Sequence, residues 1–137
     1  MALERCRVLF VEDNSQFRRR MCRKYLSRCD VTELSDGTGF SAALAAAEFH
    51  VILMDYQLPG ASGDELVRLA REQQYHGAIV AVSSSEYYNR RLLQAGADTA
   101  VLKREAYLLP RMIRQGLSIV RARWGTAGCD FEPVPEP

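Results

Sequence analysis

Five polar residues follow short apolar segments, and their side-chain types together suit the handling of a phosphoryl group. The apolar residues 51–54 lead directly into Asp55, and Pro and Gly come soon after. Other apolar segments lead into the remaining four residues, which are Glu12, Asp13, Ser83 and Lys103. A carboxylate is the nucleophile that forms an aspartyl-phosphate, and a hydroxyl and an ammonium group stabilise the charge of the transferred group. Because Asp also begins turns, Asp55 alone is ambiguous, and the other four residues decide its interpretation.

The three acidic residues, Glu12, Asp13 and Asp55, are expected to converge if the strands before them are neighbours in a parallel sheet. Three carboxylates this close repel one another at neutral pH and require a hard cation or a raised pKa. Carboxylates, a backbone carbonyl and water are the ligands that Mg²⁺ prefers. The sequence therefore favours a Mg²⁺ site, with the central carboxylate, Asp55, as the nucleophile.

The elements that must position these residues are five apolar segments that alternate with five helical patterns. The predicted strands are residues 7–11, 31–34, 51–54, 78–82 and 99–102. The predicted helices are residues 16–28 with Ser15 as N-cap, 40–49, a helix that begins at 63–64 and ends within 73–77, 86–95, and 110–123. This alternation predicts an α/β fold with a doubly wound, five-stranded parallel sheet of order 2-1-3-4-5. The order is flavodoxin-like, with helices on both faces and a switch point between strands 1 and 3.

Composition and charge exclude several functional classes. The 137 residues suffice for one domain with its own core, and a net charge of +1 gives no argument for nucleic acid or a membrane as a partner. The chain has neither an apolar run long enough to cross a bilayer nor a signal-peptide pattern, which predicts a cytoplasmic protein. The basic residues of the first helix are interpreted as a solvated face near an acidic pocket.

The cysteines and the last fourteen residues carry no recognisable motif. Cys6, Cys22, Cys29 and Cys129 form no CxxC pair, and His50 and His76 lie far from them in sequence. A zinc site is therefore not expected, and the thiols are interpreted as reduced packing residues. The Gly- and Pro-rich residues from Trp124 onward are expected to form no packed element. The predicted division is a domain at 1–123 and a flexible tail or truncated linker at 124–137.

Taken together, these motifs resemble the receiver domain of two-component response regulators, similar to the chemotaxis-regulator type. The resemblance covers roughly residues 5–123. It rests on the Val-Glu-Asp-Asn segment at 11–14, on the Asp-Tyr-Gln-Leu-Pro-Gly-Ala-Ser-Gly segment at 55–63, on Ser83 and on Lys103.

The resemblance implies a role for each site residue. Asp55 would accept a phosphoryl group from a histidine kinase, a phosphotransfer protein or a small phosphodonor. Asp13 would bind Mg²⁺ directly and Glu12 through water, while Asp55 and the backbone carbonyl of Gln57 complete the protein ligands. Ser83 would donate a hydrogen bond to the phosphoryl group, and Lys103 would pair with it. Such a domain catalyses only its own phosphorylation and dephosphorylation, and it signals to a protein target through the face formed by helix 4, strand 5 and helix 5.

Two positions depart from the family pattern. Ala100 stands where the family often has an aromatic residue, and Arg104 stands where it usually has Pro after a cis bond. A cis bond before a non-proline residue is unfavourable by about 3 kcal/mol, so a trans bond and a differently routed loop are expected. Tyr87 and Tyr88 on the fourth helix either supply an aromatic surface for the output face or are partly exposed packing residues.

Three other readings remain open at the level of sequence. The first is a degenerate receiver that acts as an interaction module without phosphorylation. The second is a phosphatase of the haloacid-dehalogenase type, which would have a second Asp where this chain has Gln57 and would need a cap domain. The third is a flavin or nucleotide binder, in which the acidic pair Glu12 and Asp13 would repel phosphate unless a metal intervened.

Overall fold

Five parallel strands form the central sheet of the computed structural model, which describes residues 4–132. The strands are β1 (Arg7–Val11), β2 (Asp30–Leu34), β3 (Val51–Met54), β4 (Ala78–Ser83) and β5 (Thr99–Leu102). They are ordered β2-β1-β3-β4-β5, which confirms the predicted topology. β1 and β3 are paired in register from Val8 opposite Val51 to Val11 opposite Met54, so the residues that follow these two strands lie side by side.

Helices cover both faces of this sheet, as predicted. They are α1 (Ser15–Tyr25), α2 (Phe40–Ala46), α3 (Gly63–Glu72), α4 (Glu86–Ala95) and α5 (Leu109–Trp124), with a 3₁₀ helix at Lys103–Leu108. Side chains alternate along β1, so Phe10 packs with α1 and α5 whereas Leu9 packs with α2, α3 and α4. Both side chains are fully buried, which explains why the strand sequence is apolar throughout.

Several element boundaries differ from the prediction. Asn14, and not Ser15, is the N-cap of α1, because its side-chain oxygen accepts a hydrogen bond from Phe17 N at 3.0 Å. α1 ends at Tyr25 rather than at residue 28. α2 ends at Ala46, since Ala47 is extended and leads the chain toward β3.

Residues 56–62, predicted as a loop, contain a small antiparallel hairpin. Gln57–Leu58 pairs with Ala61–Ser62, and Gly60 turns the chain with a φ of 80°. Further along the chain, the bond before Arg104 is trans, as expected, since no peptide bond in residues 4–132 is cis. Within the same range, no helix is both long enough and apolar enough to cross a bilayer.

The segment after α5 packs against the domain, and this corrects the expectation that it forms no packed element. Trp124 belongs to α5 and stacks on His76 with ring centres 4.5 Å apart. Asp130 N donates a hydrogen bond to Glu4 O at 2.8 Å, and the side chains of Cys129 and Phe131 are buried. The rest of the predicted tail, residues 133–137, lies outside the described residues.

Candidate functional site

The carboxyl ends of β1 and β3 bring the three predicted acidic residues together. Asp55 N donates to Val11 O at 3.1 Å, which extends the pairing of the two strands by one residue and sets Asp55 beside Glu12. Carboxylate oxygens of Glu12, Asp13 and Asp55 all lie within 4.8 Å of one another. Glu12 and Asp55 are buried, whereas Asp13 is exposed. The site is therefore acidic at its floor and open to solvent at one side.

Glu12 is a carboxylate with no exposed surface. Its Oε2 accepts hydrogen bonds from Asn14 N at 3.1 Å and from Lys103 Nζ at 3.0 Å. Its Oε1 lies 2.9 Å from Lys103 Nζ but has no hydrogen bond of good geometry. Burial, followed by repulsion from Asp55, raises the pKa of Glu12 to about 7, because Lys103 offsets these effects only in part.

Lys103 bridges the two buried carboxylates. Its Nζ lies 3.1 Å from Asp55 Oδ2 in addition to its contact with Glu12, and it sits 5.0 Å from the centre of the Phe17 ring. Burial alone would lower the pKa of Lys103, but the hydrogen bond to Glu12 and the charge of Asp55 outweigh burial and raise it. The side chain is therefore a fixed positive charge at neutral pH.

Asp55 is held from both sides. Its Oδ1 accepts a hydrogen bond from Tyr56 N at 2.7 Å, while its Oδ2 faces Lys103. Behind it, Gly63 N donates to Tyr56 O at 2.7 Å. A Cβ at Gly63 would lie 1.8 Å from the backbone oxygen of Asp55, so only glycine allows this close approach. The contact that requires glycine involves residues seven and eight positions earlier, so the sequence around Gly63 does not reveal it.

The exposed side of the site is a shallow depression. Asp13 lines it together with Gln57 and Pro59 of the hairpin segment. Of the predicted ligands, Asp13 and Gln57 border this depression, whereas Glu12 and Asp55 are buried. The buried Glu12 Oε1 is an acceptor without a hydrogen-bond partner among the described residues. Two buried carboxylates and an exposed one, with an unpartnered oxygen on Glu12, fit a hard divalent cation such as Mg²⁺.

Ser83 is placed at the end of β4, one strand away from Asp55, and is fully buried. Its hydroxyl contacts Asn89 Oδ1 at 2.6 Å and Ser85 O at 3.0 Å. Asn89 in turn donates from Nδ2 to Val101 O at 3.1 Å, and so links α4 to both β4 and β5. Sequence reasoning missed Asn89. The sequence pattern that could have indicated its burial is its position three residues before Leu92, on the apolar face of α4.

An aromatic stack connects the residue after Asp55 to α4. The rings of Tyr56 and Tyr88 are nearly parallel, with centres 4.5 Å apart. Tyr87 meets Tyr88 edge to face at 5.9 Å and is 55% exposed. Ala100 stands at the position where an aromatic residue is often found in the family. It is partly buried on the same face of the sheet as Tyr56. Tyr88 therefore packs against the candidate site, while Tyr87 presents an aromatic ring to solvent.

The sequence is similar to a known protein family and to known proteins. The family model described as the response regulator receiver domain matches residues 8–113. Over 100 residues the chain is 31% identical to the transcriptional regulatory protein ResD of Bacillus subtilis (strain 168), and the match covers 71% of this chain and 41% of ResD. Over 103 residues it is 33% identical to the autoinducer 2 sensor kinase/phosphatase LuxQ of Vibrio vulnificus (strain YJ016), covering 71% of this chain and 12% of LuxQ. The chain thus matches less than half the length of either relative.

Solved structures show the same fold. The CheY-like response regulator receiver domain protein from Methanospirillum hungatei JF-1 superposes with a TM-score of 0.75 at 22% sequence identity. The superposition covers 88% of this chain and 99% of that one. At this level of identity the likeness shows a shared fold.

Proposed function

Because this chain belongs to the response regulator receiver domain family, we propose that it is the phosphoacceptor of a two-component system and that Asp55 is the residue phosphorylated. The observation that carries the assignment is the placement of Asp55, with Oδ2 at 3.1 Å from Lys103 Nζ and with Glu12 and Asp13 beside it. The proposed receiver, residues 1–123, ends within the last turn of α5, and the segment after this helix packs against it.

The proposed reaction is a transfer to the Asp55 carboxylate. A carboxylate oxygen forms the new O–P bond, and the bond from phosphorus to the donor, a phosphohistidine or a small acyl phosphate, breaks. Tyr56 N holds Oδ1 in place by a hydrogen bond of 2.7 Å. Lys103, kept protonated by its two carboxylate neighbours, supplies positive charge where the phosphoryl oxygens arrive.

The acidic residues have a separate role in holding a cation. Asp13 would bind Mg²⁺ directly, Glu12 through water, and Asp55 with the backbone carbonyl of Gln57 would complete the protein ligands. When bound, Mg²⁺ neutralises the phosphoryl oxygens. The site suits this role because three carboxylates lie close together and, within residues 4–132, only Lys103 pairs with them. A bound cation would balance the remaining negative charge.

The response to phosphorylation is proposed to pass through Ser83. A hydroxyl has one proton, so the hydrogen bond that Ser83 would donate to a phosphoryl oxygen competes with its contacts to Asn89 and Ser85. Losing these contacts would loosen α4, whose Tyr88 also stacks on Tyr56 beside Asp55. This route requires no aromatic residue at Ala100, and it leads to the face formed by α4, β5 and α5.

The partners follow from this assignment. A histidine kinase or a phosphotransfer protein would supply the phosphoryl group, and a protein target would bind the α4–β5–α5 face, with no role for nucleic acid or a membrane in this domain. A cytoplasmic location is proposed on the same basis.

The test is intact mass spectrometry after incubation with acetyl phosphate, with and without Mg²⁺. We expect one phosphoryl adduct that requires Mg²⁺ and that is absent in Asp55→Asn. Asp36→Asn is a matched control, because Asp36 follows β2 at the same edge of the sheet and accepts from Thr38 N at 2.9 Å, a bond that Asn can keep. Labelling of Asp55→Asn at the wild-type level would reject the assignment. The absence of any adduct would favour an interaction module that works without phosphorylation.

A further inference from the structure

Three potential metal ligands, with a further cysteine beside them, lie at the edge of the sheet opposite Asp55. Cys6, Cys29 and His50 each precede a strand, namely β1, β2 and β3, and these three strands are neighbours in the sheet. Cys129 reaches the same place from the segment after α5, where Asp130 N bonds to Glu4 O. The four residues are spread over the whole chain, which is why no ligand spacing was visible in the sequence.

The cluster is compact and nearly closed to solvent. Ligand atoms of Cys6, His50 and Cys129 lie within 4.8 Å of one another. Cys29 lies beside Cys6, because the residues that follow them, Asp30 and Arg7, are paired and Asp30 N donates a hydrogen bond to Cys6 O at 2.9 Å. Cys6 has no exposed surface, and the other three residues are between 7% and 9% exposed.

We propose that Cys6, Cys29, Cys129 and His50 form a structural zinc site. Three thiolates and one imidazole are a known ligand set for tetrahedral Zn²⁺, and structural zinc sites are closed, as this cluster is. Zinc–sulfur bonds of about 2.3 Å place the ligand sulfurs of a tetrahedral site about 3.8 Å apart. The ligand atoms of Cys6, His50 and Cys129, which lie within 4.8 Å of one another, therefore need to contract by at most about 1 Å, and the Cys29 side chain has to turn toward them. Side-chain rotation supplies a movement of this size.

A neighbouring cation can offset the charge of this ligand set, and one hydrogen bond of His50 has to break. Three thiolates exceed the charge of Zn²⁺ by one, and the Arg5 guanidinium lies beside Cys29, with Nη2 at 3.3 Å from its backbone oxygen. His50 Nδ1 accepts a hydrogen bond from Arg7 N at 3.0 Å, so ligation through Nε2 moves the ring proton to Nδ1 and loses this bond. The loss of one hydrogen bond is small beside the binding of zinc by four ligands.

The site would explain why the segment after α5 docks. Between Gly125 and Glu132 the chain forms no helix or strand, and its regular pairing with the domain is a single bridge between Arg5 and Asp130. A metal bound by Cys129 and by residues before three strands would fix this segment to the sheet, because zinc binding stabilises the folded arrangement of its ligands.

The experiment uses the full chain, purified without chelators, with zinc measured by elemental analysis and by native mass spectrometry. We expect about one zinc per chain in the wild type. Cys129→Ser should lose most of it, whereas Cys22→Ser should keep it, since Cys22 is a free thiol on α1 outside the cluster. Replacement of zinc by Co²⁺ should give a sulfur-to-cobalt charge-transfer band in the wild type and in Cys22→Ser. Cys129→Ser should not show this band.

A second measurement does not depend on the folding of a variant. In the wild type, a thiol reagent should modify Cys22 first, and a strong zinc chelator should accelerate modification of the other three thiols while circular dichroism stays that of a folded chain. Failure of the wild type to bind added Zn²⁺ at micromolar concentration would overturn the proposal. Equal zinc loss in Cys129→Ser and Cys22→Ser, or a Cys6–Cys129 disulfide in place of the metal, would do the same. None of these outcomes depends on phosphorylation of Asp55.

Discussion

Replacing Glu12 with Gln should stabilise the metal-free protein at alkaline pH. Gln resembles the protonated carboxyl group, which the buried position favours, since the pKa of Glu12 is raised from 4.5 to about 7. One pKa unit corresponds to about 1.4 kcal/mol. Ionisation of the buried Glu12 side chain at pH 8 therefore lowers the free energy of unfolding by about 3 kcal/mol. The raised pKa already includes the favourable contact with Lys103, so that contact does not need to be subtracted again.

The pH dependence of the effect follows from the two pKa values. The folded protein holds the Glu12 proton up to about pH 7, whereas the unfolded chain releases it near pH 4.5. Wild-type stability therefore falls as pH rises between these values, and the Glu12→Gln variant escapes this loss. The advantage of the variant should be about 3 kcal/mol at pH 8 and below about 1 kcal/mol at pH 5.

Urea unfolding in EDTA at pH 5 and pH 8 measures this difference. Glu72→Gln is the control, because Glu72 is an exposed carboxylate at the end of α3, and its replacement should change stability by less than about 0.5 kcal/mol at both pH values. A Glu12→Gln variant that is less stable than the wild type at pH 8 would contradict this prediction, because it would mean that the ion pair with Lys103 outweighs burial. Added Mg²⁺ should stabilise the wild type more than the variant.

Three further changes test the supports of Asp55 and the path to α4. Lys103→Ala should still bind Mg²⁺ but lose the phosphorylation-induced NMR shifts outside the site; an unaltered shift pattern would contradict its role. Gly63→Ala should destabilise the fold by about 3 kcal/mol or more in urea unfolding, since its Cβ meets the Asp55 backbone oxygen at 1.8 Å. The control is Gly128→Ala, whose added Cβ meets nothing within 4 Å and should leave the free energy of unfolding nearly unchanged. Equal destabilisation by the two substitutions would contradict the role given to the Gly63 contact. Asn89→Ala should cost about 1–2 kcal/mol and reduce the phosphorylation-induced shifts in α4, and unchanged shifts would exclude the proposed route.

The apolar pattern predicted the strands and therefore the edge at which the acidic residues meet. Continuous apolar runs identify strands buried on both faces, and Val8 to Val11 and residues 51–54 are indeed fully buried. Once β1 and β3 are neighbours, Glu12 and Asp55 must lie close together, whatever the details of the loops. The topology and the position of the acidic residues thus depend on features that are local in sequence.

Features that depend on contacts between distant residues were not predicted. The segment that contains Cys129 docks where Asp130 N donates to Glu4 O, at the other end of the described chain, and a Gly- and Pro-rich composition gives no sign of it. Asn89 could be recognised as a link only when Ser83 and Val101 were known to be its neighbours. The choice of Asn14 over Ser15 as N-cap is a shift of one residue between two good capping side chains, which local preference does not resolve.

The hydrogen bond between Asp130 N and Glu4 O, 2.8 Å long, has a practical consequence. The two ends of the described chain leave the domain side by side, at the edge of the sheet opposite Asp55. The domain is therefore suited to grafting into a surface loop of a host protein, because it would hold the two sides of the cut loop close together. In such a fusion the host would lie far from the acidic depression, and strain imposed by the host would first act on the segment that contains Cys129.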